Sequence, residues 1–197
     1  MMRRLIVATS LSLMLCAAAS AATENFYGLL DGMGENPDIA TSATGFGTAM
    51  YDSVANTLEV DLSFSGLSSP SNNAHIHCCA APNNTAGVAI DFPSVGFPIG
   101  VTSGFFSHTF DLGLAATYNT TYRDNSGGTA LLARNRLLDS MRGLTGTGLG
   151  IAYFNIHTTM FGGGEIRGDI KPVPEPASLL LVLCGIASLA FARRHRA

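Results

Sequence analysis

The chain has 197 residues, with 14 acidic and 11 basic side chains and a formal net charge of −3. Five of the arginines (Arg3, Arg4, Arg193, Arg194 and Arg196) sit at the two ends, so residues 22–172 carry 13 acidic and six basic groups, a balance near −7. That balance excludes a nucleic-acid binder, which needs lysine and arginine to neutralise phosphates, while the length between the ends suits one domain with its own core.

Met1–Ala21 reads as a secretory signal peptide. Arg3 and Arg4 precede an apolar run from Leu5 to Ala19, and Ala19-Ser20-Ala21 offers the small residues that a signal peptidase reads. The run falls short of the roughly 20 residues a membrane span needs, which disfavours a permanent N-terminal anchor.

Residues 22–172 read as one mainly β domain. Strands are expected at Glu24–Leu30, Gly45–Tyr51, Thr57–Phe64, Ala74–Cys78, Gly104–Asp111, Ile151–His157 and Glu165–Lys171. The third is the clearest: Leu58, Val60, Leu62 and Phe64 alternate with Thr57, Glu59, Asp61 and Ser63, the period of a strand with one buried face. Asp52–Asn56 then makes the loop of a hairpin. Turn clusters at 66–70, 82–84, 93–98 and 162–164 separate the other strands, and Asn83-Asn84-Thr85 and Asn119-Thr120-Thr121 read as polar loop residues. Thr129–Met141 departs from the pattern. Its Leu131, Leu132, Leu137, Leu138 and Met141 suit one amphipathic helix, ended by Gly143. The simplest assembly is an antiparallel β-sandwich of two sheets, immunoglobulin- or superoxide-dismutase-like, with one inserted helix.

Histidine carries the candidate chemistry. His75 and His77 are two apart on an expected strand and share a face with Cys79, while Asn155 and His157 share a face of another. If those strands are neighbours, three imidazoles converge, and neutral imidazole suits copper or zinc. The alternative is that all three are structural histidines hydrogen-bonded across the sheet. His108, between Phe106 and Phe110, fits a core-facing or edge position better than a fourth ligand. Glu165 and Arg167 share a strand face, either as a surface pair or as a buried arginine bridging Glu165 and a loop carbonyl. Cys78 and Cys79 are adjacent. Neighbouring Cα atoms lie about 3.8 Å apart, below the usual disulfide range of about 4.4–6.8 Å, so free thiols, a vicinal bridge, an intermolecular bridge and thiolate ligation all stay open. No phosphate loop, nucleophile elbow or paired-carboxylate motif appears, which points away from an enzyme.

The C-terminal segment, residues 173–197, has three parts. Val173-Pro174-Glu175-Pro176 precedes an uncharged stretch at 177–192, and 193–197 is basic. At about 1.5 Å per residue the stretch covers roughly 24 Å, enough for a transmembrane helix in a locally thinned bilayer. The arginines stay cytoplasmic by the positive-inside rule.

Two families are resembled. The tail resembles the PEP-CTERM sorting signal of bacterial exported proteins, which implies export, membrane tethering through the C-terminal helix, processing by an exosortase-type enzyme, and delivery to the cell surface or beyond. Within residues 22–172 four segments occur in order: the Gly45–Phe64 hairpin ending in Phe64-Ser65-Gly66-Leu67; Ala74-His75-Ile76-His77; Ala152-Tyr153-Phe154-Asn155-Ile156-His157-Thr158; and Gly163-Gly164-Glu165-Ile166-Arg167-Gly168-Asp169-Ile170. Together these resemble the CHRD (chordin-type) domain, which implies an extracellular β-sandwich-like module. His75-Ile76-His77 is also similar to the way copper/zinc superoxide dismutases present two copper ligands from one strand. Their zinc-loop ligands, spaced disulfide and guiding arginine have no recognisable counterpart here, so the similarity does not extend to dismutase activity. The expectation is therefore an exported, surface-sorted, non-catalytic module that meets exopolysaccharide or surface proteins. The alternative is a copper- or zinc-binding protein using His75, His77 and His157. A further possibility makes Cys78 and Cys79 a thiol switch.

Overall fold

The computed structural model describes residues 23–81, 84–143 and 150–174. The expected signal peptide, the uncharged stretch, the basic end, and Glu175 and Pro176 of the expected sorting motif lie outside the described residues. Within them, no helix is long and apolar enough to cross a membrane.

Nine strands form one antiparallel sheet: β1 (Thr23–Asp31), β2 (Thr44–Asp52), β3 (Thr57–Ser65), β4 (Ser71–Ala80), β5 (Val88–Asp91), β6 (Gly104–Asp111), β7 (Ile151–Thr158), β8 (Ile166–Asp169) and β9 (Lys171–Pro172). Their order is β5-β4-β7-β8-β1-β2-β3-β6, with β9 also on β1. The expected alternation in β3 holds, with Leu58, Val60, Leu62 and Phe64 buried. The β2–β3 hairpin closes as its loop chemistry dictates. Asp52 Oδ1 accepts from the backbone N–H groups of Val54 and Ala55, and Asn56 takes a positive φ of 56°, a conformation asparagine tolerates well.

The two-sheet sandwich gives way to a single curled sheet. The reason lies in residues 166–172, which pair with β7 through Ile166–Asp169 and with β1 at Arg167, Lys171 and Pro172. This one segment, β8 followed by β9, thus joins the two halves instead of leaving a gap between sheets. The curl brings the edges together: Phe92, just after β5, stacks on Phe106 and Phe110 of β6, at 4.9 and 5.8 Å between ring centroids.

Glycine permits a close approach where the curl brings β7 against β1 and β2. Gly28 and Gly47 are cross-strand partners beneath the fully buried ring of Phe154. A Cβ on Gly47 would lie 2.7 Å from two carbons of that ring. Gly47→Ala is therefore expected to destabilise the domain by about 1–3 kcal/mol through overpacking. Urea unfolding measures this, and a loss below about 0.5 kcal/mol would mean that the two halves are not pressed together there.

Among the described residues two α-helices are present where one inserted helix was expected. α2 (Ala130–Met141) is capped by the Thr129 side chain, which accepts from the Leu132 N–H, and is followed by Gly143 at a φ of 72°. Its buried face is Ala133, Leu137, Leu138 and Met141, whereas Leu131 and Leu132 are exposed. α1 (Thr120–Asn125) occupies a stretch read as loop. The Asn119 side chain accepts from the N–H groups of Thr121 and Tyr122, so this asparagine is a helix cap.

Candidate metal centre

β4 and β7 are buried on both faces. One face carries Ala74, Ile76, Cys78, Phe154 and Ile156 into the apolar core. The other carries His75, His77, Tyr153, Asn155 and His157, and all five are buried. Polar groups can be buried only where hydrogen bonds replace water. Here Ala86, Gly162 and Asp91 supply several of those partners.

The strands are neighbours, as the metal alternative requires. His75 lies opposite Asn155, His77 opposite Tyr153, and His157 opposite Asn73. Each imidazole is tied down by its outer nitrogen. His77 Nδ1 lies 2.8 Å from the Ala86 carbonyl oxygen, His157 Nδ1 lies 3.0 Å from the Gly162 carbonyl oxygen, and His75 Nε2 lies 3.3 Å from Asp91 Oδ1. A carbonyl only accepts, so His77 Nδ1 and His157 Nδ1 carry the proton and donate, and the Asp91 carboxylate favours a proton on His75 Nε2 in the same way. The remaining nitrogens, His75 Nδ1, His77 Nε2 and His157 Nε2, then hold lone pairs. One nitrogen from each ring falls in a group whose ligand atoms all lie within 4.8 Å of one another.

The tautomers have a consequence. His75 Nδ1 and His157 Nε2 are 3.1 Å apart and, with His157 Nε2 unprotonated, are hydrogen-bonded only when His75 Nδ1 carries the proton, which turns the His75 Nε2 lone pair toward Asp91. His77 Nε2 is buried without any hydrogen-bond partner. A second proton on His75 would relieve the first conflict, but burial works against protonation. Burial, reinforced by the neighbouring His157, pushes His75 down to about 4, against the opposing pull of Asp91. Burial pushes His77 down to about 4 as well, against the Ala86 hydrogen bond, and also lowers His157. A cation that takes nitrogen ligands resolves both conflicts at once. The 3.1 Å pair already matches two ligands on a tetrahedral zinc, which sit about 3.3 Å apart for bonds of about 2.0–2.1 Å. Outer-nitrogen bonds to carbonyls and a carboxylate are the support that orients metal-ligating histidines.

A charged layer continues beside the rings. Tyr153 is sandwiched between His77, whose ring stacks at 4.9 Å between centroids, and Arg167, whose Cζ lies 3.5 Å from the Tyr153 ring centre. Arg167 Nη1 donates to the Asn84 carbonyl oxygen at 2.9 Å, and Nη2 lies 3.7 Å from Asp169 Oδ1. The expected bridge from a buried arginine to a loop carbonyl is present, but Glu165 is not its other end. Glu165 Oε1 instead accepts from Thr41 Oγ1, the Ser68 N–H and the Ser68 hydroxyl, at 2.8, 2.7 and 2.7 Å. Burial pushes that carboxyl up, and these bonds outweigh it and hold it below its ordinary range. Besides Asp169, Arg167 acts on Glu35, which burial raises to about 7 while Arg167 pulls it down. Glu35 and Asn155 both press on Gly164, where a Cβ would lie 2.4 and 2.5 Å from their oxygens. Only glycine fits there.

His108 lies apart from the three rings, against Phe106 and Phe110 on β6, and is not in the metal-competent group. Cys78 and Cys79 are bonded to each other through their sulfurs. Cys78 is buried in the apolar core, and both cysteines line a cavity of about 240 Å³ with Ala86, Gly87, Tyr122 and Arg136. Of the expected sorting motif, Val173 and Pro174 are described; the Val173 N–H donates to the Asn25 carbonyl oxygen. Asp91, Glu35 and the Ala86 and Gly162 carbonyls had no signal in residue spacing.

A model of the CHRD domain family matches residues 26–170. No curated protein and no solved structure matches the chain.

Proposed function

The chain belongs to the CHRD domain family, and on that premise we propose that it is an exported, non-catalytic module that holds one copper or zinc ion through His75, His77 and His157. The observation that carries the reading is the set of three buried imidazoles, each tethered by its outer nitrogen and turning the other toward a common point. The donor set is all nitrogen, which suits copper or zinc and not the oxygen-seeking calcium or magnesium. Three ligands leave a fourth position for water or a small ligand. Export through the signal peptide, tethering by the 177–192 segment and processing by an exosortase-type enzyme after Val173-Pro174-Glu175-Pro176 supply the delivery in this reading.

The test is metal uptake by the full-length chain after stripping with a chelator. One zinc or copper(II) ion per chain is expected by elemental analysis. Zinc at 100 times its dissociation constant should stabilise the fold by about 2.7 kcal/mol. Because His75 and His77 are held near 4, both stay neutral well below the ordinary histidine range near 6.5. Zinc uptake should therefore hold from pH 8 to pH 5. No retained ion and an unmoved melting temperature with either metal would overturn the reading.

A second reading rests on a different observation. Leu29, Phe46 and Phe105 are 68, 45 and 64% exposed and lie in one cross-strand row over β1, β2 and β6, with Ser63 between the last two. Such a row on an open sheet face fits contact with an exopolysaccharide or a surface protein. Loss of surface retention in Phe46→Ser with metal content intact would support this role.

A further inference from the structure

We propose that the Cys78–Cys79 disulfide controls how firmly His77 holds the ion, so that its reduction releases metal from the site. The inference rests on the metal reading above.

The disulfide and the ligand share a backbone clamp. His77 directly precedes Cys78 on β4. His77 Nδ1 donates to the Ala86 carbonyl oxygen, the Ala86 N–H donates to the Tyr153 hydroxyl at 2.9 Å, and the Cys78 N–H donates to the Gly87 carbonyl oxygen at 3.2 Å. Residues 86 and 87 therefore orient the imidazole on one side and border the disulfide on the other. The register of β4 against β7 shifts between His77 and Ala80, so the cysteines sit where the ladder is locally interrupted.

Reduction changes the volume the sulfurs need. A bonded pair sits about 2.05 Å apart, whereas non-bonded heavy atoms sit about 3.5–4.0 Å apart. The additional separation of more than about 1.5 Å has one outlet. Cys78 is held by close-packed core that resists expansion. Cys79 is partly buried, with its Sγ 4.0 Å from the Arg136 carbonyl oxygen, and it lines the cavity bounded by Ala86 and Gly87. Displacement toward that cavity moves the clamp and loosens the bond that aims His77. The same cavity gives a reductant its approach. The step is a thiol–disulfide exchange. An external dithiol breaks the Cys78–Cys79 bond, gives up two electrons and two protons, and closes to its own disulfide, leaving two protein thiols.

The experiment compares the oxidised full-length chain with the chain reduced by a dithiol and then freed of reductant under argon. Zinc affinity is measured for both. ¹⁵N imidazole spectra of the metal-free chain report whether His77 Nδ1 and His157 Nδ1 keep their hydrogen bonds. Reduction is expected to lower zinc affinity roughly 10–100-fold, the range for losing an outer-shell partner. It should alter His77 while leaving His157 unchanged. The double variant Cys78→Ser/Cys79→Ser should behave like the reduced chain. Equal zinc affinity in both states overturns the proposal, as does tighter binding on reduction, which would make the thiols ligands. An oxidised chain that takes up no zinc defeats the metal reading itself. The His77 signal then still decides whether the disulfide governs that ring.

Discussion

Alanine in place of His157 is expected to reduce zinc or copper binding at least about 100-fold and to remove the metal-dependent rise in melting temperature. His157 is the most exacting of the three positions. Its Nε2 faces His75 Nδ1 at 3.1 Å, and its Nδ1 is fixed by the Gly162 carbonyl, so it sets half of the closest ligand pair. Without it, two imidazoles from one strand remain, and His77 Nε2 loses the geometry that completes the site. The same variant leaves the apolar face of β7 untouched, because Phe154 and Ile156 point the other way. Circular dichroism should therefore remain that of the parent. Unchanged metal stoichiometry in His157→Ala would place any bound ion elsewhere and remove the case for this cluster.

Arg167→Ala is expected to cost about 3–5 kcal/mol of folding stability, the range for removing one partner from a buried ionic arrangement. The guanidinium is only 3% exposed and performs several tasks at once. It donates to the Asn84 carbonyl, covers the Tyr153 ring, and counters the burial that raises the Glu35 carboxyl. Removing it leaves a cavity, a carbonyl without a donor and an acid without a cation. Arg167 is what restrains the rise of the Glu35 carboxyl, so in the variant that group should titrate above its present value of about 7. Urea unfolding gives the stability loss, and carboxyl ¹³C shifts follow Glu35. Glu35→Gln should recover part of the loss in the double variant, since the two residues couple. A loss under about 1 kcal/mol, with Glu35 unmoved, would show that the layer beside the metal centre does not depend on this charge.

Local features of the fold were readable because short-range physics sets them. The alternation over 57–64 follows from one buried face, the Asp52–Asn56 loop from its own side-chain bonds, and α2 from Thr129 and Gly143 at its ends. β5 escaped because four residues, Val88–Asp91, are too few to show a period. α1 escaped because six residues beginning Thr120-Thr121 resemble a polar loop until Asn119 is seen capping them. The curl of the sheet depends on which strand Ile166–Pro172 joins, a long-range choice that spacing does not encode. At the site, the shared face of His75 and His77 was legible, because side chains alternate along a strand. The roles of Asp91, Ala86 and Gly162 were not, because backbone carbonyls leave no mark in a sequence and Asp91 becomes relevant only once β5 lies on β4. Glu165 was paired with Arg167 by proximity along one strand, whereas Ser68 and Thr41, nearly 100 and more than 120 residues away, take that carboxylate.

The strand order also sets a clock for folding. β1 is made first and lies between β2, its neighbour in the chain, and β8–β9, the last strands of the domain. Phe26 waits for Pro172, and Asp31 for Arg167. The β1–β2–β3 meander can pair as soon as it is synthesised, because its turns are local. The other half of the sheet cannot be fastened to it until Arg167, Lys171 and Pro172 are made, about 100 residues after Ser65. Contacts this distant in sequence slow the search for the native state. During that wait β1 presents an open edge to any other extended chain. Until its last strands arrive, the newly made domain carries this edge of β1 unpaired.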